Sequence, residues 1–133
     1  MDNTPASPTA QHALVLFGHG SRDPLWHQPI EALARVMGER APATPVRCAY
    51  LELSQPDLPH VAAQLVAQGV RHITIFPMFL GVGRHAREDL PELVAQLRVS
   101  HPGLELRLMP AVGEHAQVID LLASIALQAV ASP

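Results

Sequence analysis

Four short apolar runs alternate with four stretches in which apolar residues recur every three or four positions, the pattern of βα units around a parallel sheet. Strands are expected over 13–17, 46–51, 72–76 and 104–109, and their near-continuous apolar character suits strands covered on both faces. Between them, Ile30, Leu33, Ala34 and Met37 form one helical stripe, and Leu58, Val61, Ala62 and Leu65 a second. Leu90, Leu93, Val94 and Leu97 form the third, and Val118, Leu121, Leu122 and Ile125 the fourth. The pattern specifies an α/β fold, an open parallel four-stranded sheet flanked by helices in the order βαβαβαβα. Asp89 with Glu92 reads as a capping box for the third helix, while Gly69 and Gly103 mark helix exits. Asp57-Leu58-Pro59 recurs as Asp89-Leu90-Pro91, which reads as the same way of starting a helix rather than as a duplication.

Residues 1–12 have neither a basic start nor an apolar stretch of signal-peptide length and read as a flexible tail, leaving 13–130 as a single domain. No apolar run approaches the roughly 20 residues needed to cross a bilayer, so a cytoplasmic protein without membrane contact is expected. With 48% hydrophobic and 16% charged residues the chain has a globular balance. The net charge of −3 and the scattered Lys and Arg argue against a nucleic-acid surface, so an anionic ligand must be met by a local site. Cys48, the single cysteine, rules out an internal disulfide and a cysteine-rich structural zinc site.

In open parallel sheets ligands bind beyond the carboxyl ends of the strands, where loops converge and helix N-termini point inward. His19 follows the first strand, Glu52 the second, and His115 the fourth, with His85 in the loop after the third. His19, Glu52 and His85 are successively 33 residues apart. Two imidazoles and a carboxylate at one sheet edge form a ligand set for Co, Fe, Ni or Zn. The first loop, Gly18-His19-Gly20-Ser21-Arg22-Asp23, lacks the third glycine of a dinucleotide fingerprint and the Gly-Lys-Ser/Thr ending of a P-loop. Nor is Ser21 flanked as in a nucleophile elbow. Trp26 is read as a partly buried aromatic anchoring this loop, with His27 beside it; Met78 and Phe79 are read as lining or core.

Three segments together resemble the short sirohydrochlorin chelatases, relatives of the cobaltochelatase of the anaerobic cobalamin pathway. Gly18 to Arg22 is similar to the family's opening signature, and Tyr50-Leu51-Glu52-Leu53 with Pro56 to its second-strand segment. The stretch from Phe79-Leu80 through Gly83, His85 and Asp89 to Pro91 resembles its metal-site loop and following helix. Pro110 to His115 fits more loosely. The resemblance implies a class II chelatase fold, half of a flavodoxin-like arrangement, working without ATP or a tightly bound cofactor. It implies an acidic tetrapyrrole, sirohydrochlorin, lying beside metal-binding histidines, and, since larger relatives carry two lobes, pairing of two copies into a homodimer.

Metal insertion replaces two pyrrole N–H protons by a divalent ion, so the site needs loosely held metal ligands and proton acceptors. Neutral imidazole serves both needs. His19 and His85 are therefore the expected catalytic residues, and His19, Glu52 and His85 the expected holders of Co²⁺, Fe²⁺ or Ni²⁺. Ser21, Arg22, Arg84, Arg87 and His115 are the expected contacts to a multiply carboxylated substrate, Arg being suited to bidentate carboxylate binding. Each has a plainer alternative, a turn or capping residue or a surface charge. A noncatalytic metal or tetrapyrrole carrier would use the same histidines. A phosphohistidine enzyme is disfavoured, because Gly18 stands where such loops carry Arg.

Overall fold

The computed structural model describes residues 12–131, apart from the side chain of His85. Of the expected tail, 1–11 lie outside the described residues, and His12 opens the first strand. The elements are β1 (His12–Gly18), a 3-10 turn (Pro24–His27), α1 (Gln28–Arg40), β2 (Val46–Tyr50), α2 (Leu58–Ala67) and β3 (His72–Pro77). They continue with α3 (Arg84–Ser100), β4 (Glu105–Leu108), a 3-10 turn (Val112–Glu114) and α4 (Ala116–Ala131).

All strands are parallel in the order β2-β1-β3-β4, with Leu16 opposite Cys48 on one side and Phe76 on the other. The chain thus leaves β1 for one flank of the sheet and returns to the other. The loops after β1 and β3 diverge at this reversal, where a crevice opens in doubly wound sheets.

Strand alternation sorts the core into two layers. Ala13, Val15 and Phe17 of β1, Ile73 and Ile75 of β3 and Leu106 of β4 face α2 and α3, where the expected stripes are buried. Leu93 alone of those eight stripe residues is only partly buried. On the other face Leu16, Tyr50 and Ile30 pack with Leu33, Ala34 and Met37 of α1.

Two expectations fail. α3 begins at Arg84 behind Gly83, ahead of the expected Asp89, so His85 lies in the helix rather than in a loop and Asp89–Glu92 is no capping box. Buried Ala86 stands one turn before buried Leu90, so the apolar face of α3 extends back ahead of Pro91, which lies inside the helix. Asp57 does cap α2, accepting the His60 N–H at 2.9 Å, so only the first of the two Asp-Leu-Pro sequences starts a helix. The second failure is α4, whose expected stripe forms but is not buried.

Tyr50 pairs across the sheet with Gly18. Burial pushes the phenol up to about 12, with Cys48 and Glu31 adding to the shift. Between the unfolded value of about 10 and the folded one, the unfolded chain sheds a proton that the folded chain keeps. This stabilisation is complete below the unfolded value and is lost as pH rises through the folded one. The melting temperature should therefore fall over that interval, and Tyr50→Phe should flatten the decline in a pH series of thermal melts.

Candidate functional site

Beyond β1 the chain turns at His19 and Gly20 and is tied to the loop after β2. The Leu51 N–H donates to the Gly18 carbonyl at 2.9 Å and the Glu52 N–H to the His19 carbonyl at 3.1 Å. Gly20 sits at φ +90°, and a Cβ there would collide with the Glu52 carbonyl oxygen. Glycine meets both demands, the left-handed backbone and the close approach. Leu53, at φ 62°, adopts a conformation that costs a non-glycine residue on the order of 1 kcal/mol or more.

Ser54 fastens the two loops. Its hydroxyl accepts the Ser21 N–H at 2.8 Å and donates to the Ser21 carbonyl at 2.6 Å. With that proton committed, Nε2 of His27, at 2.9 Å, is the donor to Ser54 Oγ, which fixes the tautomer through the network. Ser21 Oγ accepts the Asp23 N–H at 3.1 Å, and Asp23 caps the 3-10 turn by accepting from Leu25 N at 3.0 Å. Ser21 is thus a structural part of the loop as well as a residue of the cleft.

Each imidazole lies on an aromatic platform. His19, itself exposed, stacks on buried Phe79 with ring centroids 4.0 Å apart and 29° between planes. His27 stacks on Tyr50 at 4.2 Å and 22°. With Ser21, Trp26, Ile30 and Met78 they line a cleft of about 450 Å³, in the size range of small-molecule sites. Trp26 is 75% exposed, so the expectation of a partly buried anchor is wrong: the capped turn holds the indole at the cleft mouth.

Glu52 is exposed and joins His19 through the backbone pairing, not through its carboxylate. Arg22 is exposed in the same loop, and Arg84 and Arg87 are exposed in the first turn of α3, which has no acidic residue. Cations at a helix N-terminus oppose the dipole, an arrangement that an anion relieves. Arg87 approaches Glu114 at 4.0 Å, a weak pair on the surface. Those two, with Leu90, Pro110 and Ala111, line a neighbouring depression of about 270 Å³. His115 Nε2 lies 3.1 Å from the Pro110 carbonyl, and its ring meets Phe76 edge-on at 5.4 Å, so it braces the turn into α4.

The structure therefore unites His19 and Ser21 in one cleft, leaves Arg22 and Glu52 exposed on the two joined loops outside its lining, and sets Arg87 in the next depression. Among the described residues no three His, Cys, Asp or Glu side chains stand together as a metal-ligand set. His85 belongs to the first turn of α3, with its side chain outside the described residues. Three residues escaped the sequence reading as parts of the site. Asp23-Pro24, a capped turn against the strand end, was the available signal for Trp26 and His27. Ser54 had none, since its role exists only once the two loops meet.

The parallel α/β sheet with its flanking helices is the fold of chelatases of known structure. The chain belongs to the CbiX family, whose family model matches residues 13–129. A CbiX protein of known structure from Marinobacter aquaeolei superposes with a TM-score of 0.80 at 30% identity, covering 92% of this chain and 99% of that one. The cobalt complex of the sirohydrochlorin chelatase SirB from Bacillus subtilis gives 0.70 at 27% identity, covering 83% of this chain and 47% of that one. The sirohydrochlorin cobaltochelatase of Methanocaldococcus jannaschii is 35% identical over 89 residues, 67% of this chain and 62% of that protein. The matched stretch is thus less than two thirds of the M. jannaschii protein and under half of the B. subtilis one. Among the described residues no helix is long and apolar enough to cross a membrane.

Proposed function

We propose that this protein inserts a divalent metal, Co²⁺ or Fe²⁺ and in principle Ni²⁺, into sirohydrochlorin without ATP, releasing two protons. The observation that carries the reading is His19, held on the Phe79 platform at the strand-end cleft with an apolar wall beside it. A flat macrocycle needs such a wall, and the imidazole needs an open side toward it. His19 and His85 bind the incoming metal and take up the pyrrole protons, while Glu52 adds the negative charge that draws the cation in. The metal is a substrate here, and the partial ligand set leaves coordination positions for the ring nitrogens. Ser21, Arg22, Arg84, Arg87 and His115 meet the substrate carboxylates, with the α3 N-terminus reinforcing its arginines.

One lobe offers one wall, and two copies of the chain supply the second. The relatives named for sirohydrochlorin chelation support the substrate assignment. A carrier would present the same residues but would hold metal or product without hastening its formation. Purified protein mixed with sirohydrochlorin and each metal in turn should change the tetrapyrrole absorbance faster than a protein-free control, with turnover beyond one equivalent. Stoichiometric binding at the uncatalysed rate would replace the enzyme by the carrier.

A further inference from the structure

Exposed apolar side chains are distributed unequally between the two ends of the sheet. Leu25, Trp26, Leu53 and Leu80 lie in the segments that follow β1, β2 and β3, and each is more than half exposed. Among the described residues, the loops at the opposite end, 41–45, 68–71 and 101–104, expose no Val, Leu or aromatic side chain, and Val70 and Leu104 are buried there. Apolar exposure gathered at the end where open parallel sheets bind ligands marks a contact surface.

Trp26 stands out within this set. It is the chain's one tryptophan, lines the cleft together with His19 and is 75% exposed. The Tyr and the three Phe residues are all buried or half-buried. The backbone under the indole is nonetheless fixed. Pro24 and the Asp23 cap set the turn, and the Trp26 N–H donates to the Asp23 carbonyl at 3.1 Å. The next residue, His27, is held by Ser54 and by its stacking on Tyr50. A large, stiff ring is thus offered to solvent from an ordered base, the arrangement that gives up least freedom when a ligand arrives.

We propose that the Trp26 indole stacks on the face of the tetrapyrrole and holds it beside His19, which makes Trp26 a substrate-binding residue of the cleft. The inference rests on the macrocycle reading of the proposed function and names the contact that selects a flat, conjugated ligand. An aliphatic side chain at the mouth would cover area on any apolar ligand, whereas an indole adds the preference of π faces for one another. The carboxylates at the edge of the ring stay free for Arg22, exposed four residues earlier in the same segment.

Equilibrium binding without metal tests this contact apart from catalysis. Metal-free sirohydrochlorin, titrated with protein and followed by its visible absorbance, should give a Kd that rises about tenfold in Trp26→Ala and no more than about threefold in Trp26→Phe, which keeps a stacking face. Affinity for Co²⁺ alone and the melting curve should match wild type in both variants. In the insertion assay Trp26→Ala should raise the KM for the tetrapyrrole and keep kcat, because a uniform binding contact is lost. Emission from the single tryptophan of the ligand-free protein should be that of an indole in water and should be quenched by iodide. If wild type binds sirohydrochlorin and Trp26→Ala binds it as tightly, the inference is overturned while the chelatase reading stands. A loss in Trp26→Phe equal to that in Trp26→Ala, or a blue-shifted emission shielded from iodide before any ligand is added, would overturn it as well. A wild type that binds no sirohydrochlorin would remove the chelatase reading itself, and the stack with it.

Discussion

His19→Ala should lower the catalysed insertion rate by at least about 10²-fold, the lower end of what general-base help supplies. The effect is expected to be this large because one ring is asked to perform two tasks, holding the metal near the macrocycle and accepting a proton as the metal enters. Stacking on Phe79 sets the ring at the cleft that it lines. His85→Ala should cost a similar factor, and the double variant should be scarcely worse than either single one, since residues acting as a unit are not additive. The measurement is the initial absorbance change after subtraction of the spontaneous reaction, on variants whose melting curves match wild type. Folded single variants that retain near-wild-type rates would move the search to Glu52 and to His27.

A large loss of stability should come from the single small change Gly20→Ala. The added methyl meets two penalties together: a left-handed backbone and an overlap with a backbone oxygen that cannot swing away. Strain of roughly 1–3 kcal/mol from the backbone and a similar overpacking term give on the order of 2–5 kcal/mol. That is a large share of the roughly 5–15 kcal/mol that holds a typical domain together. Urea titration should show a midpoint well below wild type, and activity at low temperature should fall too, because the loop must move the residue next to His19. Gly38→Ala, in the interior of α1 with open space around it, should instead be neutral or mildly stabilising. Equal midpoints for the two variants would mean that the loop contact at Gly20 is not formed in solution.

The sequence pattern carried the sheet well because its information is local. The runs 46–51 and 72–76 read as strands from their own composition, although β3 alternates buried with half-buried positions and β2 buries only its last two residues, and the α2 stripe was buried residue for residue. The start of α3 was not legible, since Pro91 signals a first turn and the burial of Ala86 one turn earlier exists only in the packed fold. At the site, His19 was legible because glycines bracket it at a strand end. His27 and Ser54 were not, because their roles depend on a contact between loops 27 residues apart in sequence. For α4 the periodicity was read correctly, but an apolar stripe does not say whose core it serves.

The two platforms under the cleft have different moorings. Phe79 belongs to the layer beneath α2 and α3, whereas Tyr50 belongs to the layer beneath α1. The two histidines of the cleft therefore rest on side chains packed into opposite faces of the sheet, and the width of the cleft depends on how both layers seat against that one sheet.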